Sequence, residues 1–116
     1  MVVRRIVTDI GTTNIDETKR FYVDLLGLEI VMDQGWIATL SAHQKAPIQL
    51  SIMTEGGSGT PAPQMSIEVD DVDAIYSKAK AMDVEVSYDI TDEPWGVRRF
   101  YVKDPAGQII NILSHM

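Results

Sequence analysis

The sequence predicts an α+β domain built from two copies of a βαβββ unit. Two segments in which apolar residues alternate with others each lead into a capped helical segment, and a stretch rich in glycine and proline separates the two series. In residues 4–10, Ile6, Thr8 and Ile10 fall on one face and Val7 and Asp9 on the other, as in a half-buried strand. Asn14 followed by Glu17 is a helix N-terminal box; Ile15, Thr18, Phe21, Tyr22, Leu25 and Leu26 then recur at helical spacing until Gly27. The pattern predicts a helix over 15–26, then strands over 28–31, 36–40 and 47–53, parted by Asp33-Gln34-Gly35 and a polar stretch around His43.

Residues 54–63 have no periodicity and read as a linker. Alternation resumes over 65–69, Asp70-Asp71 caps a helix carrying Val72, Ile75, Ala79 and Met82, and strands follow over 84–88, 98–103 and 108–113. Asp104-Pro105-Ala106-Gly107 suits the tight turn between the last two. A shift of 57 residues lays Asn14 on Asp71 and Ile10 on Ile67, with one residue lost by the helix end, so that Gly27 falls on Asp83. The organisation expected is one domain, 1–116, with module one at about 1–53, the linker at about 54–63 and module two at about 64–116.

A chain of 116 residues with 45% hydrophobic content can bury a core of its own, and a domain of this size gains from covering exposed sheet in a homodimer. Without cysteine there are no disulfides, thiolate metal sites or thiol nucleophiles. The N-terminus lacks an apolar stretch of signal-peptide or membrane-span length, so a cytoplasmic location and no membrane partner are expected. A net charge of -7 with no basic stripe argues against nucleic-acid binding and mildly favours a cationic ligand.

The run from Asn14 through Phe21-Tyr22 to Leu25-Leu26-Gly27-Leu28, Val69-Asp70-Asp71-Val72-Asp73, and Trp95-Gly96-Val97-Arg98-Arg99-Phe100 leading to Asp104-Pro105-Ala106-Gly107 resemble the glyoxalase, bleomycin-resistance and extradiol-dioxygenase superfamily, also called the vicinal oxygen chelate group. The resemblance spans essentially the whole chain. It implies that the paired modules form a curved, cup-like mixed sheet with helices outside and a ligand cleft inside. It further implies, for metal-dependent members, four ligands on the inner face, mostly His and Glu, on the first and last strands of each half. The last is typically a Glu after a D-P-x-G turn; here that position is Asn111, and Val7, Gln49 and Gln64 align with the other three. Neutral amides and a valine are poor ligands for zinc, nickel or iron, so no metal and no cofactor are expected. Asp9 and Glu68, on the same strand face, are the carboxylates that an alternative, shifted metal site would use.

Strand parity sets Gln49, Gln64, Arg99, Tyr101 and Asn111 on one side and Ile48, Leu50, Ile67, Phe100, Val102 and Ile112 on the helix-packed side. The polar side is either a ligand cleft or a face wetted by solvent; the resemblance favours the cleft. Trp95 stands in a loop where no periodicity demands an apolar residue, and its ring serves a ligand, a plug or a dimer contact. Arg98 and Arg99 point to opposite faces, to orient an anion or to pair with carboxylates. His43 and His115 read as surface residues, and no serine motif or phosphate loop is present, so no catalytic residue is assigned.

The function these readings imply is metal-independent binding of a small-molecule ligand, as in the bleomycin-resistance-like branch, through Gln49, Gln64, Trp95, Arg99, Tyr101 and Asn111. The alternative is a metal-dependent lyase, isomerase or dioxygenase of the same superfamily. A third is an interaction module whose cup is filled by its own side chains.

Overall fold

The computed structural model describes residues 2–42 and 49–116. Ten elements follow in order: β1 (Val3–Gly11), α1 (Ile15–Leu26), β2 (Glu29–Asp33), β3 (Ile37–Ser41), β4 (Gln49–Met53), β5 (Met65–Val69), α2 (Val72–Ala81), β6 (Val86–Asp92), β7 (Val97–Lys103) and β8 (Ile109–His115). This is βαβββ twice, an α+β fold. His43, Ile48 and the first residues of the strand expected over 47–53 lie outside the described residues.

The chain divides into two compact units, and the division falls inside β1: Val7–Ala62 form one, and Met1–Ile6 with Pro63–Met116 the other. In the first unit the strand order is β2-β3-β4-β1, with β4 parallel to β1 and antiparallel to β3. Its core is Ala38, Leu40 and Ile52, against which Ile10, Ile15, Tyr22, Val23, Leu28 and Leu50 pack. Helix α1 starts where the Asn14 Oδ1 accepts the Glu17 N–H at 3.1 Å while Asn14 Nδ2 donates to the Glu17 carboxylate at 2.7 Å. It ends at Gly27, whose φ of 68° is left-handed and whose N–H bonds the Val23 carbonyl.

In the second unit the order is β5-β8-β7-β6, and α2 covers a core of Val69, Val72, Ala79, Phe100, Val102 and Ile110. Ser114 ties strand to helix: its Oγ accepts the Val72 N–H at 3.0 Å and donates to the Val69 carbonyl at 2.8 Å. The start of the chain belongs here, with the Asp70 N–H on the Val2 carbonyl and Arg5 on Glu68.

The repeat holds at the level of register. Thr8 pairs with Leu50, Asp9 with Ser51 and Ile10 with Ile52; 57 residues on, Met65 pairs with Ile110, Ser66 with Asn111 and Ile67 with Ile112. Gly27 and Asp83 also correspond, because Asp83 has a left-handed φ of 57° just beyond α2. Aspartate tolerates that region at a cost that glycine avoids. Asp83→Gly is therefore expected to raise stability by a few tenths to about 1 kcal/mol in urea unfolding.

One expectation needs revision. The strand expected over 84–88 runs from Val86 to Asp92, because register shifts at Val86/Tyr88 and Tyr88/Thr91 break the alternation on which the reading relied. Residues 56–60, part of the stretch read as linker, close into a turn: the Gly56 N–H bonds the Thr60 carbonyl at 2.8 Å, and the Thr60 hydroxyl donates to the Gly57 carbonyl at 2.7 Å. Strands β2 and β6 end their units' orders, and each combines bulging with carboxylates, Glu29 and Asp33 or Asp89 and Asp92, which oppose strand addition at those edges.

Candidate functional site

Alternation along β3, β4 and the C-terminal part of β1 sets Asp9, Ser51 and Thr39 in one row across the non-helix side of the first unit. All three are buried, and the Thr39 and Ser51 hydroxyls lie 2.8 Å apart. The matching row in the second unit is Ser66, Asn111 and Tyr101. Here too burial is high: Arg99, Tyr101, Asn111 and Leu113 are all below a tenth exposed. These positions are thus not wetted by solvent, whereas Gln49 and Ser66 are half-buried and Gln64 is exposed. For the buried groups among them, hydrogen bonding decides their chemistry.

Three expected site residues converge in the second unit, chiefly on one another. Arg99 reaches along β7 to Glu93 in the turn after β6, with Nη2 and Nε both 2.7 Å from Oε2. The two side chains are 4% and 2% exposed, so this is a fully desolvated ion pair. Three aromatic rings enclose the guanidinium, with centroids 5.3 Å away for Tyr88, 5.0 Å for Trp95 and 5.0 Å for Tyr101. Arg99 Nη1 also donates to the Tyr101 hydroxyl at 3.2 Å, and the Tyr88 hydroxyl donates to the Glu93 carboxylate at 3.3 Å. The turn itself is shaped by the Glu93 N–H on the Val97 carbonyl at 2.7 Å and by Gly96 at φ 93°. Sequence reasoning missed Glu93 and Tyr88. The available signal was the Glu93-Pro94-Trp95-Gly96 turn between strands, with a carboxylate six residues before an inward-facing arginine.

The other candidates sit apart from this cluster. Gln64 is exposed, and its Oε1 accepts the Ile109 N–H at 3.0 Å, which secures the start of β8. Gln49 belongs to the first unit, opposite Ser41 on β3. The register gives Ser51, not Gln49, as the counterpart of Asn111, because the spacing between first and last strands differs by three residues between the halves. Asn111 donates from Nδ2 to the Ser66 hydroxyl at 3.0 Å, while its buried Oδ1 has no hydrogen-bond partner among the described residues.

A divalent metal does not fit these donors. Val7 offers no ligand atom, the Ser51 hydroxyl is held by Thr39, the Gln64 oxygen is held by backbone, and Asn111 is a neutral amide. Glu68 is shared between Arg5 Nε at 3.1 Å and His115 Nδ1 at 3.0 Å, so one imidazole and one carboxylate are already committed to each other. No group of three or more His, Cys, Asp or Glu side chains able to hold a metal occurs among the described residues. A catalytic site normally wants three protein ligands. Arg98, on the opposite face, pairs with Asp73 at 3.0 Å and Asp92 at 2.9 Å, two carboxylates that hold its guanidinium well above the usual arginine range. No described helix is long and apolar enough to cross a membrane.

Comparison with known proteins agrees with this architecture. No curated protein matches the sequence. Among solved structures, one from Legionella pneumophila described as an NAD-dependent benzaldehyde dehydrogenase is similar with a TM-score of 0.81 at 16% identity, covering 97% of this chain and 100% of that one. A glyoxalase/bleomycin resistance protein/dioxygenase superfamily member from Vibrio splendidus 12B01 gives 0.69 at 19% identity, with 95% and 97% covered. Methylmalonyl-CoA epimerase from Mycobacterium tuberculosis gives 0.72 at 19%, with 98% and 89% covered. At such identities the likeness is one of fold. The family model for the Glyoxalase/Bleomycin resistance protein/Dioxygenase superfamily matches residues 5–112, and the chain belongs to that superfamily.

Proposed function

We propose that this chain is a metal-independent small-molecule binding protein of the bleomycin-resistance-like type, with its ligand held on the polar side of the sheet. The observation that carries this reading is the donor set: Asn111, where metal-dependent members place a glutamate, is a neutral amide with an unsatisfied buried oxygen, and Glu68 is already paired with Arg5 and His115. The ligand contacts in this reading are Trp95, Arg99, Tyr101 and Asn111 in the second unit, with Gln64 at its margin; Gln49, on the first unit, is a candidate contact of that unit alone. Exposed Phe21, Leu25 and Leu26 on α1, with Ile30 and Val31 on β2, support a homodimer as part of the same reading.

Thermal unfolding in the presence of aromatic amines, drugs and 2-oxo acids tests the proposal. A ligand of the native state is expected to raise Tm in proportion to the logarithm of its concentration without added metal, and Trp95→Ala is expected to weaken that response. Stabilisation that appears only when a divalent metal is supplied would overturn it.

A further inference from the structure

We infer that the groove between α1 and β2 is a second binding site, for a monocarboxylate with an apolar body. Arg20 holds the carboxylate, and Val23 and Ile30 form the bed for the rest. The groove has a volume of about 410 Å³ and is lined by Asp16, Lys19, Arg20, Val23 and Ile30. That lies within the range of small-ligand sites, about 300–1,000 Å³. Four of the five residues come from α1, at the i, i+3, i+4 and i+7 spacing that sets one stripe along a helix. Ile30 is on the same side of the sheet because it pairs with Leu40, a core residue of this unit against which α1 packs. The groove therefore lies on the helix side of the first unit, opposite the row of Asp9, Ser51 and Thr39, and is independent of the ligand proposed above.

Charge sets the class of ligand. Lys19, with its side chain 15% exposed, takes both neighbouring carboxylates: its Nζ lies 2.8 Å from Asp33 and 3.3 Å from Asp16. Asp33 is fixed in turn by the Gly35 N–H at 2.9 Å, so the contact straps helix to strand beside the groove. Arg20 is exposed, and among the described residues it has no carboxylate partner. It is thus the cation left to meet a ligand, and a planar guanidinium holds a carboxylate through two parallel hydrogen bonds. Val23 is half-buried and Ile30 is 45% exposed, so an apolar body seated on them removes hydrocarbon surface from water. One available cation in a chain of net charge -7 favours a monoanion over a dianion.

Titration of isotope-labelled protein with indole-3-carboxylate, followed through backbone amide chemical shifts, tests the site. Shifts are expected at residues of α1 and β2, and indole-3-carboxamide, the neutral isostere, is expected to bind at least about tenfold more weakly. Arg20→Gln, a change at an exposed position, is expected to keep the wild-type Tm and to weaken the carboxylate at least about tenfold. Asp16→Asn is expected to tighten it about two- to threefold, because it removes a negative charge from the wall. Trp95→Ala, in the second unit, is expected to leave it unchanged. Absence of shifts at millimolar indole-3-carboxylate, equal binding of the carboxamide, or an affinity unchanged by Arg20→Gln overturns the inference. Binding that Trp95→Ala abolishes and Arg20→Gln leaves intact would overturn it in favour of the polar side of the sheet, and the proposed function would stand; stabilisation only with added metal would overturn the proposed function, while loss of the carboxylate on Arg20→Gln alone kept the groove.

Discussion

Glu93→Ala is expected to destabilise the protein by about 3–5 kcal/mol, because it removes the carboxylate of a fully buried ion pair and leaves the Arg99 guanidinium's charge uncompensated by it among three aromatic rings. For a domain of this size that is a fall in Tm of roughly 10–25 °C. Replacing both members of the pair, as in Glu93→Leu with Arg99→Met, is expected to restore most of the loss or to exceed the wild type, since apolar substitutes for a buried ion pair avoid its desolvation cost. Urea unfolding of the single and double variants measures the difference. A single variant within about 1 kcal/mol of wild type would show that Arg99 finds another partner and that the pair is not the anchor of this unit.

Phe100→Ala is expected to cost about 3–5 kcal/mol by another route. Phe100 is fully buried in the core beneath α2, where its ring meets Tyr76 edge-on at 5.2 Å, and truncation leaves a cavity that the strands on either side hold open. The neighbouring residue Tyr101 points to the opposite side of the same strand. Substitution at 100 is thus expected to lower the unfolding midpoint in urea while the cost of Glu93→Ala, measured in the Phe100→Ala background, stays the same. A changed cost would mean that the two faces are mechanically coupled.

Most of the architecture was legible because local rules and tertiary packing agree in this chain. The Asn14–Glu17 box and Gly27 bound α1 at the expected residues, and Asp71 caps α2 through the Ala74 N–H at 3.1 Å. Phe100 and Arg99 took opposite faces as alternation required. Legibility failed where the backbone departs from a regular period. Bulges in β6 concealed its length, and the turn at residues 56–60 is held by backbone bonds that composition does not report. The site was harder to read, since parity shows which side a residue faces but not what it meets there. Trp95, Arg99 and Tyr101 were singled out, yet Glu93 and Tyr88, which complete the cluster, come from a turn and a bulged strand. Gln49 was aligned with the last-strand ligand position that the family resemblance implies for the first half, and only the strand pairing shows Ser51 as the counterpart of Asn111.

The central claim, that this member of the superfamily works without the usual metal, is tested most directly by the metal content of protein purified without chelators. With Asn111, Ser51, Gln64 and Val7 at the ligand positions and Glu68 held by Arg5 and His115, zinc, nickel, manganese and iron are each expected well below one equivalent per chain. One equivalent of any of them, retained through gel filtration and lost on Glu68→Gln or Asn111→Ala substitution, would contradict the account.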